Sequence, residues 1–406
     1  MMMKTFIKYI LLLNMTILIT ETFFTSCDDK KENSSGPPSI SYIRLTDPAK
    51  ADSFLTRANM GQLIAIIGEN LGSLHQLYFN DLTASLNPAY ITNTSVIVNV
   101  PNALPTVIDD KIKMIFADGT ELQYDFVVDI APPELYGIKC EYVPDGGTAV
   151  LYGDYLFEPT VIFPDDLEGE VTNATKTEIE VTVPAGATTG TIIVKNTIGE
   201  AVSDFYFRDD RNVIVDFDTK LHETWTAAII YIDSVADADP CDGNYAEIQS
   251  DDVAAWDWEN NLAMMYWAKE DVPLANGIPS QLKFCFEVNV PEPWYDVPME
   301  IYFAPFDGEH GRDLQDESGN YVTSFYRWRP YKDGPYTTDG WITMSIPLSN
   351  FNYGHDDGDI PPEQGTNPLT DISNLSNINM MVFGAANPPT HPVKIYLDNV
   401  RIVPVD

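Results

Sequence analysis

The chain has 406 residues, with 61 Asp and Glu against 23 Lys and Arg, for a formal net charge of −38 at pH 7. That balance cannot neutralise a phosphate backbone, which excludes nucleic-acid binding, and it argues against docking on anionic lipid through a basic patch. Hydrophobic residues make up 44%, too many for a disordered chain. The length suggests roughly two to four domains. The 29 Pro and 24 Gly lie between runs rich in Val, Ile, Thr and Tyr, which points to an all-β protein.

At the amino terminus, Lys4 and Lys8 precede an apolar stretch from Tyr9 to Ile19. It is too short for a membrane-spanning helix and fits the core of a secretory signal. The stretch ends in Phe24-Thr25-Ser26-Cys27. Small residues before a Cys resemble a lipobox, although Phe24 stands where that pattern usually has Leu. The resemblance implies that residues 1–26 are removed and Cys27 carries the lipid; a cleaved soluble signal with an incidental Cys is the alternative. Asp28, Asp29 and Glu32 resemble the surface-export signal of Bacteroidetes lipoproteins. Residues 27–38, ending Asn33-Ser34-Ser35-Gly36-Pro37-Pro38, read as a flexible tether.

Cys140, Cys241 and Cys285 remain. An odd number allows at most one bridge, with Cys241 and Cys285 the plausible pair, and excludes a dense disulfide framework. No pair has the spacing of a structural zinc site, and small buried hydrophobes are the simplest role for all three.

The next stretch repeats itself. Leu63-Ile64-Ala65-Ile66-Ile67-Gly68-Glu69-Asn70-Leu71 aligns with Thr148-Ala149-Val150-Leu151-Tyr152-Gly153-Asp154-Tyr155-Leu156. Thr94–Pro101 aligns with Thr177–Pro184, and Ile112–Phe116 with Thr191–Lys195. Glu178-Ile179-Glu180-Val181-Thr182-Val183 alternates with period two, the mark of a half-buried strand. Several such strands between Pro and Gly turns predict two small β-sandwiches, at 39–131 and 132–208. Both units resemble the immunoglobulin-like IPT/TIG domain in their Gly-x-x-Leu step and their Pro-closed later strand. That resemblance implies spacers.

All seven Trp fall after Arg211, so composition changes there and 211–406 reads as a third domain. Strands are predicted at Val213–Phe217, Leu282–Val290, Met299–Phe303, Trp341–Ile346, Asn379–Phe383 and Val393–Val403, with long loops at 307–321 and 352–371. A jelly-roll-type β-sandwich fits these features. Gly340–Ser349 and the ending Lys394-Ile395-Tyr396-Leu397-Asp398-Asn399-Val400-Arg401-Ile402 resemble carbohydrate-binding sandwiches. The order of parts resembles the B-type surface glycan-binding lipoproteins of Bacteroidetes polysaccharide utilisation loci. What that implies is an outer-membrane, outward-facing, lipid-anchored protein that holds a polysaccharide without cutting it. Its implied partners are a TonB-dependent transporter and companion surface glycan-binding proteins.

Trp suits a pyranose because its wide apolar ring matches the sugar's C–H face, while neighbouring polar side chains match the hydroxyl rim. Trp256 and Trp258 sit two apart among Asp, Glu and Asn, so an extended segment would present both on one face. Trp294 and Tyr295 follow Pro291-Glu292-Pro293, a stiff turn. In Phe325-Tyr326-Arg327-Trp328-Arg329, Tyr326 and Trp328 share one face and Arg327 and Arg329 the other. These eight residues are the candidate glycan contacts. Trp341 heads an alternating strand and Trp267 lies in an apolar run, so both read as core; Trp225 stays open between the two roles. Low positive charge argues against an anionic polymer, and a Trp-rich platform favours a neutral β-glucan such as mixed-linkage glucan or xyloglucan.

No Gly-x-Ser-x-Gly elbow, P-loop, Gly-x-Gly-x-x-Gly or His-Glu-x-x-His occurs, and the five His are scattered. A jelly-roll glycanase or lyase would need only an Asp/Glu pair and is the main alternative. A structural adhesion lipoprotein is the second. No cofactor is implied. Asp237, Asp239 and Asp242, or Asp356, Asp357 and Asp359, could supply carboxylates to a structural Ca²⁺, but solvated acidic loops explain them better.

Overall fold

A computed structural model describes residues 36–220, 229–232, 239–250, 262–266, 277–305, 311–358, 360–372, 375, 377–382 and 391–405. Among them the regular structure is strand and short 3-10 turn, with no α-helix. The chain divides into two compact units, Met1–Asp129 and Ile130–Asp406. Cys27 and the tether through Ser35 lie outside the described residues.

The first unit packs the sheet Ser39–Leu45, Leu63–Glu69, Ser95–Asn99 and the sheet Leu82–Thr83, Leu74–Phe79, Lys111–Phe116, Glu121–Asp125. Within the second unit, Glu134–Ile138, Thr148–Asp154, Glu178–Thr182, Leu167–Ala174, Thr160–Phe163, Gly190–Lys195 and Glu200–Phe207 pair in that order. Leu167–Ala174 pairs with a strand on each side and so joins the two layers of this sandwich.

The Gly-x-x-Leu repeat has one physical basis in both sandwiches. A Cβ on Gly68 would lie 2.0 Å from the Ser39 carbonyl oxygen, and one on Gly153 would lie 1.9 Å from that of Glu134. Both glycines sit opposite a β-bulge in the first strand, where the neighbouring backbone comes too close for any side chain. Two residues on, Asn70 and Tyr155 take left-handed φ values of 60° and 55°. That turn drives Leu71 and Leu156 fully into their cores. The amides of Leu71 and Leu156 then donate to the carbonyls of Asn93 and Lys176.

The carboxy-terminal sandwich has two antiparallel sheets. One runs Ile229–Ile232, Tyr245–Ser250, Val393–Pro404, Leu282–Asn289, Ile342–Pro347, with Val213–Val215 also on the long last strand. The other runs Leu262–Tyr266, Asn377–Val382, Met299–Ala304, Phe325–Trp328. Phe284, Phe286, Met299, Ile301, Phe303, Ile378, Met380 and Ile395 fill the space between them.

This sandwich is joined to the second immunoglobulin-like one by more than a linker. The Thr343 amide donates to the Lys139 carbonyl, and the Glu141 amide donates to Thr343 Oγ1 at 2.7 Å. Tyr142 Oη donates to the Asp209 carbonyl at 2.8 Å. Arg401, fully buried, reaches both Glu141 and Glu287. These bonds hold the two sandwiches together within one compact unit.

Two sequence expectations are corrected here. Cys241 and Cys285 are free and buried. Cys241 donates to Asp398 Oδ2 and Cys285 to Ser345, so each thiol is occupied at a different place in the fold. Trp341 is not in the core between the sheets. It lies half-buried on the opposite face, against Tyr245 and Tyr396, and packs on the core of the immunoglobulin-like sandwich.

Candidate functional site

The sheet Leu262–Tyr266, Asn377–Val382, Met299–Ala304, Phe325–Trp328 carries a second, polar layer on its outer side. Along Met299–Ala304, Met299, Ile301 and Phe303 enter the core, so Glu300, Tyr302 and Ala304 point outward. Their partners Arg327, Phe325, Asn379 and Asn377 share that face. All are buried, because the segments around 311–323 and 352–367 fold across them. Gly311 makes this cover close: a Cβ there would sit 2.4 Å from that of Ala304.

Glu300 anchors the layer. Arg312 Nε donates to one of its oxygens at 3.0 Å and Arg327 Nε to the other at 2.9 Å. The rest of the Arg327 guanidinium donates to the carbonyls of Gly354, His355, Asp357 and Gly358. Asp357 ties the same loop from its other end by accepting from the Gly354 and Thr366 amides. Burial alone would raise the Asp357 carboxyl, yet these bonds and nearby Arg327 hold it below the usual carboxylate range. Beside this anchor, Asn377 Nδ2 donates to the Pro305 carbonyl and Asn379 Nδ2 to Asn377 Oδ1. Among the described residues Asn379 Oδ1 is buried without a hydrogen-bond partner.

At the open margin of this layer Tyr321 stacks on His355, ring centroids 3.7 Å apart and planes 12° from parallel. His355 Nδ1 lies 2.7 Å from Asp356 Oδ1, and Nε2 lies 2.8 Å from Asp313 Oδ1. The imidazole is thus fixed from both sides, and Tyr321 lies exposed over it. A flat aromatic face ringed by carboxylates and Arg312 has the chemistry of a sugar platform.

Several candidate contacts take other roles. Trp294 is fully buried, its Nε1 donating to the carbonyls of Asp296 and Val297 at 2.7 and 3.0 Å. Trp328 is also buried and meets Trp294 edge to face at 5.3 Å. Neither indole has a face open to a sugar, because the core between the sheets fills the side they share. Tyr326 is half-buried against that core, where burial, then Tyr353, raises its phenol. Arg327 is used up in holding the 354–358 loop, and Arg329 donates to Gly358 and lies over the Tyr353 ring. Of this group only Tyr295 is exposed, stacked on His391 at 4.2 Å. Trp225, Trp256, Trp258 and Trp267 lie outside the described residues, as do Asp237 and Asp359. Tyr321 and His355 were missed because they are 34 residues apart in sequence and each looked like an ordinary loop residue. Among the described residues no group of three or more His, Cys, Asp or Glu is placed to hold a metal ion.

An antiparallel sandwich with this polar layer and aromatic stack has the make-up of a carbohydrate-binding module. Its buried acid, Glu300, has both oxygens engaged by arginines. Residues 207–404 match the family described as the surface glycan-binding protein B xyloglucan binding domain. The fold is similar to that of a surface glycan-binding protein B of Prevotella bryantii, at 25% identity and a TM-score of 0.58, covering 91% of this chain and 99% of that one. It is also similar to that of an SGBP-B from a complex xyloglucan utilisation locus of Bacteroides uniformis, at 17% identity and a TM-score of 0.53, covering 91% of this chain and all of that one. An IPT/TIG domain-containing protein of Bacteroides ovatus is 41% identical over 103 residues, a quarter of this chain. That match takes in about a fifth of the relative's length, 21%. The carboxy-terminal domain thus matches the xyloglucan-binding domain of surface glycan-binding protein B, and the chain as a whole is similar to such proteins, which points to the cell surface.

Proposed function

We propose that the protein captures a neutral β-glucan, xyloglucan before mixed-linkage glucan, at the carboxy-terminal sandwich and holds it without cleavage. The observation that carries this reading is the match of residues 207–404 to a xyloglucan-binding domain family. The platform of Tyr321 and His355, with Trp256, Trp258 and Tyr295, supplies the aromatic faces. A stacked ring covering some 50 Å² of sugar contributes about 1 kcal/mol, so micromolar affinity, roughly 8 kcal/mol, needs several rings and hydrogen bonds together. Lipidation at Cys27 would anchor the chain in the outer membrane, facing the medium. The chain would there serve a TonB-dependent transporter alongside companion glycan-binding proteins. The immunoglobulin-like sandwiches at 39–131 and 132–208 act as spacers. Weak sites suffice, because a polymer offers repeats to many anchored copies.

The test is affinity electrophoresis of residues 27–406 through gels containing xyloglucan, mixed-linkage glucan and acidic polysaccharides, with reducing ends assayed on the same samples. Retardation by a neutral β-glucan without new reducing ends is expected. Release of reducing ends, or retardation only by an acidic polymer, would overturn the reading.

A further inference from the structure

Away from the covered sheet face, a cleft of about 340 Å³ opens where the second immunoglobulin-like sandwich meets the carboxy-terminal one. Its size is at the small end of ligand pockets, which run from about 300 to 1,000 Å³. Trp341, Tyr142 and Pro240 form apolar lining, and Lys139, Asp239 and Asp339 bring charge to it. The Trp341 indole is held in place: Nε1 donates to the Asp239 carbonyl at 2.7 Å, and Tyr245 meets the ring edge to face at 5.3 Å. It nevertheless keeps part of its surface in the cleft, where a residue serving only as packing would be covered. Lys139 Nζ and Asp339 Oδ2 pair at 3.2 Å, with the Asp339 carboxylate projecting into solvent.

The walls do not move freely against each other. The Thr343–Lys139 backbone bond and the buried Arg401–Glu141 pair fix the two sandwiches beside the cleft. The indole is therefore a rigid face, which lowers the entropy lost on binding. A pyranose would lay its C–H side on Trp341 and turn its hydroxyls to the Asp239 and Asp339 carboxylates and the Lys139 ammonium. Mixed charge at the rim suits a neutral sugar, whose hydroxyls both donate and accept.

We propose that this cleft is a second carbohydrate subsite, taking one neutral hexopyranose unit of the captured glycan with its C–H face on Trp341. The proposal rests on the glycan-capture reading above and extends it to a separate cleft, built partly by the second immunoglobulin-like sandwich. It would let one protein grip a polymer at two points, raising avidity without a second copy.

The test is calorimetric titration of residues 27–406 with xyloglucan and mixed-linkage glucan heptasaccharides, for wild type, Thr148→Trp, Trp341→Phe and Tyr321→Ala. Thr148 is exposed and lines the cleft, so a bulky side chain there blocks it without entering either core. The expected result is two equivalents of oligosaccharide in wild type and one in Thr148→Trp, with thermal midpoint unchanged. Trp341→Phe should weaken the same equivalent severalfold, and Tyr321→Ala the other. One equivalent in wild type, unaffected by Thr148→Trp, would overturn the subsite and leave the main site standing. Binding of neither heptasaccharide would overturn both.

Discussion

Arg401 Nη2 lies 2.5 Å from Glu141 Oε2, joining two residues 260 apart in sequence across the junction of two sandwiches. The same guanidinium donates from Nη1 to Glu287 Oε2 at 2.7 Å and to the Asn399 carbonyl at 2.6 Å. Asn399 has a left-handed φ of 47°, and the strand opposite shifts register between Cys285 and Glu287. The Asp-Asn step of the last strand is therefore a bulge that turns Arg401 toward its two carboxylates.

Removing the cation should be costly. Arg401→Ala would leave Glu141 and Glu287 buried against each other with nothing to balance them, a loss of about 3–5 kcal/mol. Urea unfolding followed by fluorescence should show a lower midpoint. Arg401→Met combined with Glu141→Leu and Glu287→Leu should recover most of that loss, since it removes the uncompensated charge. A single variant as stable as wild type would mean the pair does not hold the junction.

The same cluster gives a pH dependence. Burial raises the Glu287 carboxyl, Arg401 opposes that, Glu141 adds to it, and the result is about 7 against an ordinary 4.5. Asp398, also pushed up, chiefly by burial and then by Glu287, leans the same way. Between those values the folded state keeps a proton that the unfolded chain releases. Stability from Glu287 is therefore full below about 4.5, falls as pH rises to about 7, and is level above it. The change is roughly 3 kcal/mol. Unfolding free energies of wild type and Glu287→Gln measured at pH 5 and pH 8 isolate it. The wild type should lose more than the variant over that interval; parallel profiles would contradict the raised carboxyl.

Trp294 and Trp328 should behave as core residues. Each →Ala change should cost about 3–5 kcal/mol of stability. Affinity, measured on protein shown to be folded, should stay as in wild type. A drop in affinity with no drop in thermal midpoint would return these indoles to the binding surface.

What could be read in advance divides along physical lines. The Gly-x-x-Leu repeat was legible because a close backbone approach at Gly68 and Gly153 and a left-handed third residue are demands that sequence must meet locally. The alternation of Tyr326 and Trp328 was legible too, but not which side it faced. That depends on the sheet lying opposite, and here the core takes the aromatic side while Arg327 goes to the covered face. Trp294 looked like a displayed ring on a Pro-stiffened turn. The turn in fact folds inward, its backbone pairing with Tyr336 in both directions. Contacts such as Arg401–Glu141 and Tyr321–His355 join segments with no local signature, so no pattern of spacing could announce them.

Tyr321 and Trp258 test the glycan site from two sides. Tyr321 is exposed and its main contact is the stack on His355, so Tyr321→Ala should leave the fold intact. Losing one stacked ring removes about 1 kcal/mol, which is about a fivefold rise in Kd. Trp258→Ala, which takes away a wider ring, should cost at least as much. On the reading that each ring holds its own unit of an extended glycan, the double variant should multiply the single effects, as independent contacts do. Titration with xyloglucan heptasaccharide, alongside thermal melts to confirm folding, measures all three. Wild-type affinity in Tyr321→Ala would remove the Tyr321–His355 stack from the site. A double variant no weaker than either single one would mean the rings hold the same sugar.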